Sequence, residues 1–264
     1  MTDDNVQRTE SDSLAEALGL QPLTARSVIL SVLLGTHPPR LPVKVLVRTA
    51  ELFGISEGTT RVALSRLAGD GDVVAEDRDY RLTARLLDRQ RRQDEGHHPV
   101  TQPWTGGWEV AIASPSVRSA ADRLALGPEM SALRLAELRP GVWVRPDNLV
   151  RSWPDQLNDR VMRFDTTTGF DQPPAPAIAA SLWDLEAWAG RAVRLLSALE
   201  SVDDMAQRFM VATAMVRHFR DDPVLPPELL PDRWPGTVLR EAYAGYEAQL
   251  GELLRRERER DRQR

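Results

Sequence analysis

Thr59, Arg61, Ser65 and Arg66 are the residues whose types and spacing best suit chemistry, and that chemistry is recognition of a polyanion. Along the stretch 53–67, Thr60, Ala63, Leu64 and Leu67 fall at i, i+3, i+4 and i+7 and predict the apolar face of a helix. The other flank offers short hydroxyls and two guanidiniums. Gly58, Thr59 and Thr60 at the start of the helix are small enough to let it approach a groove, and an arginine bidentate to a base edge contributes ~1–3 kcal/mol of discrimination. Lys44 and Arg48, one turn apart, and Arg78 and Arg81 downstream suit phosphate or minor-groove contacts, which position a protein without reading sequence.

Positioning such a helix takes three helices and a wing. Thr24 is the expected cap of a helix over 25–34, with Val28, Ile29, Val32 and Leu33 inward, ended by Gly35 and the Pro38-Pro39 pair. Pro42 suits position N1 of a second helix running through Phe53, with Val43, Leu46, Val47, Ala50 and Leu52 packing. Gly54 closes that helix and Ser56 caps the third. The β-rich runs 71–75 and 80–82 bracket Glu76-Asp77-Arg78-Asp79 and predict a hairpin, which completes a winged helix. A helix over 83–93 carries Arg85, Arg89, Arg91 and Arg92, a basic edge or simply a solvated face.

Residues 96–106 read as a loop and a domain boundary. Beyond them, 108–113 alternates as a strand, 116–126 is helical with Ala120, Ala121 and Leu124 inward, 133–144 holds at least one strand, and 160–165 another. That order fits a ferredoxin-like domain with its sheet covered on one face. Pro173–Pro176 is a stiff spacer. Helices follow over 182–199, 205–221 and 237 to about 252, with a proline-punctuated loop at 222–235. The tail 255–264 alternates charges and frays or extends as a solvated helix. The expected fold class is therefore multidomain α+β: an acidic extension (1–21), a winged helix (22–94), a central ferredoxin-like domain (100–172), a mainly helical C-terminal domain (177–254) and the charged tail.

Composition excludes several alternatives. The 264 residues suffice for two or three domains. With no cysteine there is no disulfide, thiolate nucleophile or Cys-based zinc finger, and four histidines with no ligand spacing beyond the adjacent His97-His98 argue against a built-in zinc site, so no metal residue is assigned, while carboxylates could contribute to another metal site. The acidic start lacks the pattern of a secretion signal and no run of 18 apolar residues occurs, so the expectation is a soluble cytoplasmic protein with no membrane partner. The net charge is −5, yet residues 24–92 carry twelve Lys or Arg against eight Asp or Glu. A basic module on an acidic body is compatible with DNA, because the local potential of one face governs binding. No nucleophile elbow or glycine-rich phosphate loop appears, Gly106-Gly107 alone being weak, and no catalytic residue is assigned.

One titratable cluster stands apart. Arg217, His218 and Arg220 end a predicted helix, either as counter-charges to its dipole or as an anion pocket for an effector, with Arg191 and Arg194 as weaker candidates. Trp143, Trp153, Trp183, Trp188 and Trp234 read as core or interdomain anchors.

Four motifs carry a family resemblance: Pro22-Leu23-Thr24-Ala25-Arg26-Ser27-Val28-Ile29-Leu30-Ser31-Val32-Leu33-Leu34-Gly35, the segment Leu52 to Leu67, Pro140-Gly141-Val142-Trp143-Val144-Arg145-Pro146-Asp147-Asn148-Leu149, and the segment Asp222 to Gly236. In this order they resemble the phenylacetic acid degradation repressor family, PaaX, over roughly residues 22–250. The resemblance implies an N-terminal winged helix, a central domain similar to the small ferredoxin-like nuclease Cas2, and a C-terminal helical domain. It also implies a homodimeric repressor on a palindromic double-stranded operator, without a cofactor, released by a CoA thioester such as phenylacetyl-CoA. It puts Thr59, Thr60, Arg61, Ser65 and Arg66 on DNA, whereas periodicity turns Thr60 inward. Where family members carry a His-Glu-Tyr-Arg-like run, this chain reads Val216-Arg217-His218-Phe219-Arg220.

The expectation is a repressor of aromatic-acid catabolic genes. A metal-dependent nuclease of Cas2-like type is the enzymatic rival, though Trp108-Glu109-Val110 offers only one carboxylate. A winged-helix adaptor for a protein partner is the other.

Overall fold

The computed structural model describes residues 18–19, 23–115, 117, 119–166 and 173–263. The acidic extension lies outside the described residues, apart from Leu18 and Gly19. By contacts the chain forms two units, one of residues 1–94, 192–217 and 237–264, the other of residues 95–191 and 218–236. The expected domains follow chain order; the units follow contacts, and each draws on separate stretches of chain.

In the first unit, α1 (Ala25–Leu34) starts at a capping box in which Thr24 and Ser27 satisfy each other's backbone N–H groups. Its residues Val28, Ile29, Val32 and Leu33 are buried as the periodicity demands. A short strand follows that the sequence did not suggest, β1 (Arg40–Pro42), and it ends in the N-cap of α2 (Val43–Glu51). Pro42 is therefore at the N-cap and not at N1. Helix α2 also stops two residues before Phe53: Gly54 takes φ +67 and the N–H of Ile55 returns to the carbonyl of Ala50. That turn leaves Leu52 47% exposed and out of the expected packing. Ser56 caps α3 (Glu57–Gly69) by accepting from the N–H of Thr59.

Strands β2 (Val73–Glu76) and β3 (Asp79–Leu82) form the predicted hairpin, and β1 pairs with the free edge of β3, all antiparallel. Helix α4 (Ala84–His97) runs past Gln93 through Gly96, so the expected loop begins later. Its buried Gln90 donates to the carbonyls of Leu34 and Thr36, satisfying acceptors left open at the end of α1.

Three boundaries between the units fall inside α4, α7 (Leu185–Glu200) and α8 (Met205–Arg220), and the fourth at residue 236. Within the first unit the rings of Phe53 and Phe209 meet edge to face at 4.7 Å. Helix α9 (Gly236–Arg262) buries Leu239, Tyr243, Tyr246, Leu250 and Leu254 along one stripe. It continues to Arg262, so the tail extends as a helix, one of the two expectations, and it is docked in addition. Lys44 pairs with Asp261 at 3.0 Å, Arg48 with Glu257 at 3.2 Å, and Arg258 donates to the carbonyl of Arg40 at 2.7 Å.

The second unit is built on β4 (Trp108–Ala113), β5 (Ala136–Arg139), β6 (Val142–Pro146) and β7 (Val161–Asp165), in the order β5-β6-β4-β7 and antiparallel throughout. Helix α5 (Ala120–Ala132) joins β4 to β5, and β6 lies between them. This helix is longer than predicted and turned differently: Leu124 is 78% exposed and Ala121 is exposed, while Leu126 and Met130 are buried. Alternation along β4 sends Ala111 and Ala113 to the side of Leu126 and Met130, and Trp108 and Val110 to the other.

That second side is covered as well. Helix α6 (Ala175–Leu182), which begins inside the expected proline spacer, meets Leu225 and Leu229 of the late loop there. The second face is therefore covered over β4 and β6, where the segment 218–236 returns to it, and not left open as expected, while Met162 and Phe164 of β7 stay 41% and 50% exposed on that side.

Candidate nucleic-acid interface

Helix α3 has a buried and an exposed side, with Ala63 half-buried between them. Thr60, Leu64 and Leu67 are buried, and Thr59, Arg61, Val62, Ser65 and Arg66 are exposed. Thr60 is wholly inaccessible, and its hydroxyl donates to the carbonyl of Ser56 at 3.1 Å, so a polar residue sits in the core at little cost. Arg61 pairs with Glu57 at 2.7 Å, one turn earlier, with both side chains more than half exposed. Such a pair is weak and can exchange for a phosphate. Arg66 makes no ion pair among the described residues. Val62, 52% exposed, was missed in the sequence; its place on the same stripe as Arg66 was the available signal, and methyls of this kind suit contact with a thymine methyl.

Arg78 lies exposed at the tip of the hairpin, beside Asp77 at φ +54, and makes no ion pair among the described residues. Arg81 is held by Glu76 at 2.6 Å, and Arg40 by Asp79 at 2.6 Å. The structure brings Thr59, Arg61, Ser65 and Arg66 onto one face of α3. Lys44 and Arg48 instead face Asp261 and Glu257 of α9, so part of their charge is already balanced.

The far end of α3 is anchored by a different set. Asp70, the C-cap of α3, accepts from Arg26 at 2.7 Å. Arg26 also reaches Asp72, which is buried and bound as well by Arg85. One arginine of α1 thus holds both acidic residues that follow the exposed helix.

The candidate effector residues separate. Arg217 and Arg220 are exposed, while His218 is buried in the second unit. The His218 ring stacks on Trp188 at 4.3 Å, Trp188 stacks on Trp234 at 4.6 Å, and Nε2 of His218 lies 3.1 Å from the carbonyl of Trp188. Burial, with the nearby charge of Arg191, pushes the His218 pKa down. Arg217 lines a cavity of about 300 Å³ in the first unit.

Glu109 on β4 is buried and clamped by Arg151 at 2.8 Å and Arg163 at 3.0 Å. Its register partner Arg145 is fully buried, donating to the carbonyls of Pro146 and Val224 and to Asn148. Desolvation, with the charge of Arg151 next, lowers the Arg145 pKa to about 9.

A family model described as PaaX-like protein matches residues 24–86, which span all the DNA-contact candidates. A second, described as PaaX-like protein C-terminal domain, matches residues 183–257 and so spans Arg217, His218 and Arg220. The structure of the uncharacterized protein Rv0674 from Mycobacterium tuberculosis is similar at a TM-score of 0.77 and 44% identity, over 89% of this chain and 99% of that one. The chain belongs to the PaaX-like family. No curated protein matches it.

As a PaaX-like protein it is a DNA-binding transcriptional repressor tied to phenylacetate-like catabolism, and not an enzyme. Among the described residues no helix is long and apolar enough to cross a membrane. The buried links from Arg145 and Asn148 to the carbonyl of Val224 join two of its four sequence motifs, 140–149 and 222–236.

Proposed function

We propose that α1 to α3 with the β2–β3 hairpin act as a winged helix, that α3 enters the major groove, and that two copies of the chain bind a palindromic operator. The observation that carries this reading is the exposed stripe of Thr59, Arg61, Val62, Ser65 and Arg66 on a helix whose opposite side is packed through Thr60, Leu64 and Leu67. Arg61 and Arg66 read bases, Ser65 and Thr59 add hydrogen bonds, and Arg78 with Arg81 grips phosphate or the minor groove. Lys44 and Arg48 contribute to phosphate contact only when Asp261 and Glu257 release them.

In the same reading residues 100–172 form a ferredoxin-like, Cas2-like domain. Support comes from the strand order β5-β6-β4-β7, a β-α-β unit split by β6. A CoA thioester of an aromatic or related acid is the effector that releases the repressor, which works in the cytoplasm. A nuclease role finds little support, since Glu109 is occupied by two guanidiniums.

Footprinting on DNA upstream of the protein's own gene tests the reader. Changing Arg61→Ala and Arg66→Ala together should abolish sequence-specific protection and flatten the salt dependence. An intact footprint in that double variant would show that α3 is not what reads the operator.

A further inference from the structure

The cavity in the first unit has a defined chemical character. Its walls come from α1, α4, α8 and α9, and its apolar surface includes Leu30, Phe209, Tyr243, Tyr246 and Leu250. Tyr243 and Tyr246 are buried, and burial holds both phenols protonated by pushing their pKa values up. Three exposed arginines, Arg26, Arg89 and Arg217, stand along the same walls, against one carboxylate, Glu247. A volume of about 300 Å³ is at the small end of ligand sites. It suits an aromatic ring with a short linker and excludes a whole coenzyme. Apolar walls with several cations at the edge select a bulky apolar group that carries negative charge at one end.

Arg26 belongs to two structures at once. It lines the cavity, and it holds Asp70 and Asp72 at the end of the exposed helix α3. An anion that draws Arg26 toward the cavity must take it from those carboxylates. The helix presented to DNA would then lose the guanidinium on Asp70 and one of the two on Asp72.

We infer that this cavity binds the acyl end of an aromatic carboxylate or its thioester, with Arg217 at the anionic end, and that Arg26 carries occupancy to α3. The inference rests on the reading of the protein as an effector-released repressor and assigns that effector a site. The exposed Arg220 and the buried His218, the other two members of the 217–220 cluster, are not part of it. Arg26 is a positioning residue in this scheme: it acts on DNA binding through Asp70 and Asp72.

The test uses the full chain with phenylacetate, phenylacetyl-CoA and coenzyme A as calorimetric ligands. Binding by either of the first two and not by coenzyme A alone is expected. Ser31→Phe, which puts a ring into the cavity, and Arg217→Glu should each weaken binding at least tenfold, while Arg220→Glu keeps it within twofold. Binding that survives both cavity variants, or that Arg220→Glu removes, places the site elsewhere and overturns the inference. So does wild-type protein that binds none of the three.

The second arm measures operator affinity with and without saturating ligand by fluorescence anisotropy. Arg26→Gln should bring the ratio of the two affinities close to one although ligand still binds, and an unchanged ratio would remove Arg26 from the scheme. Sequence-specific binding of the unliganded wild type reports on the repressor reading by itself. If that binding is absent, the underlying reading fails; if it is present and the cavity variants behave like wild type, only the site assignment fails.

Discussion

Arg66 on α3 and Arg145 on β6 carry the same guanidinium into opposite surroundings. Arg66 is exposed, makes no ion pair among the described residues, and sits on a helix held by the apolar stripe behind it. Arg145 is wholly buried, and its hydrogen bonds, with those of Asn148, hold the carbonyl of Val224. Val224 takes φ +50, a conformation costly for a β-branched residue, and its N–H is fixed by Asp222 at 2.7 Å. The charge of Arg66 is left available for a partner, although most arginines around it in the first unit are paired. Charge in the second is consumed in joining two segments that are far apart in sequence.

Three substitutions test this contrast, from the largest expected effect on stability to the smallest. All seven tryptophans lie in residues 104–234 and all belong to the second unit, so their fluorescence reports on its unfolding. Glu109→Ala leaves Arg151 and Arg163 without their shared carboxylate and should destabilise that unit by about 3–5 kcal/mol, read as a lower urea midpoint. A loss below about 1 kcal/mol would mean that the buried charges rearrange freely.

The second test is a pH profile. The folded-state pKa of His218 lies below its ordinary value of 6.5, so the unfolded chain binds the proton more tightly. Stability from this group is fully present above about pH 6.5 and is lost as pH falls through the lowered folded value. His218→Gln should remove that part of the acid-side slope in the tryptophan-detected transition. Identical slopes in variant and wild type would contradict a buried neutral imidazole.

The smallest effect is expected on α3. Arg66→Ala should change stability by no more than about 0.5 kcal/mol, as for an exposed residue without partners. Its operator affinity should fall by about 1–3 kcal/mol if it makes a bidentate base contact. A variant that loses stability as well would assign Arg66 a structural role.

Much of the first unit was legible in the sequence because its elements are local. Thr24 and Ser56 announced their helices by cap chemistry, and Thr60, Leu64 and Leu67 marked the inner stripe of α3 by spacing alone. The misses share a cause. Strand β1 is three residues long and exists because β3 offers it an edge, which no local pattern reveals. Helix α5 was turned wrongly because the surface it packs on is made by β4 and β6, not by its own sequence. The docked tail was missed because its partners, Lys44 and Arg48, lie some two hundred positions earlier.

The sequence by itself determined the cap residues, the helical and strand periods, the basic bias of residues 24–92 and the side of α3 that carries Arg61 and Arg66. Each of these depends on neighbours within a few positions along the chain. Tertiary structure alone decided which cations remain available, that Glu109 is clamped by Arg151 and Arg163, and that Arg217 lines a cavity while His218 stacks on Trp188. Those outcomes depend on which charges and rings meet across long separations, and such encounters are set by the packing of whole elements.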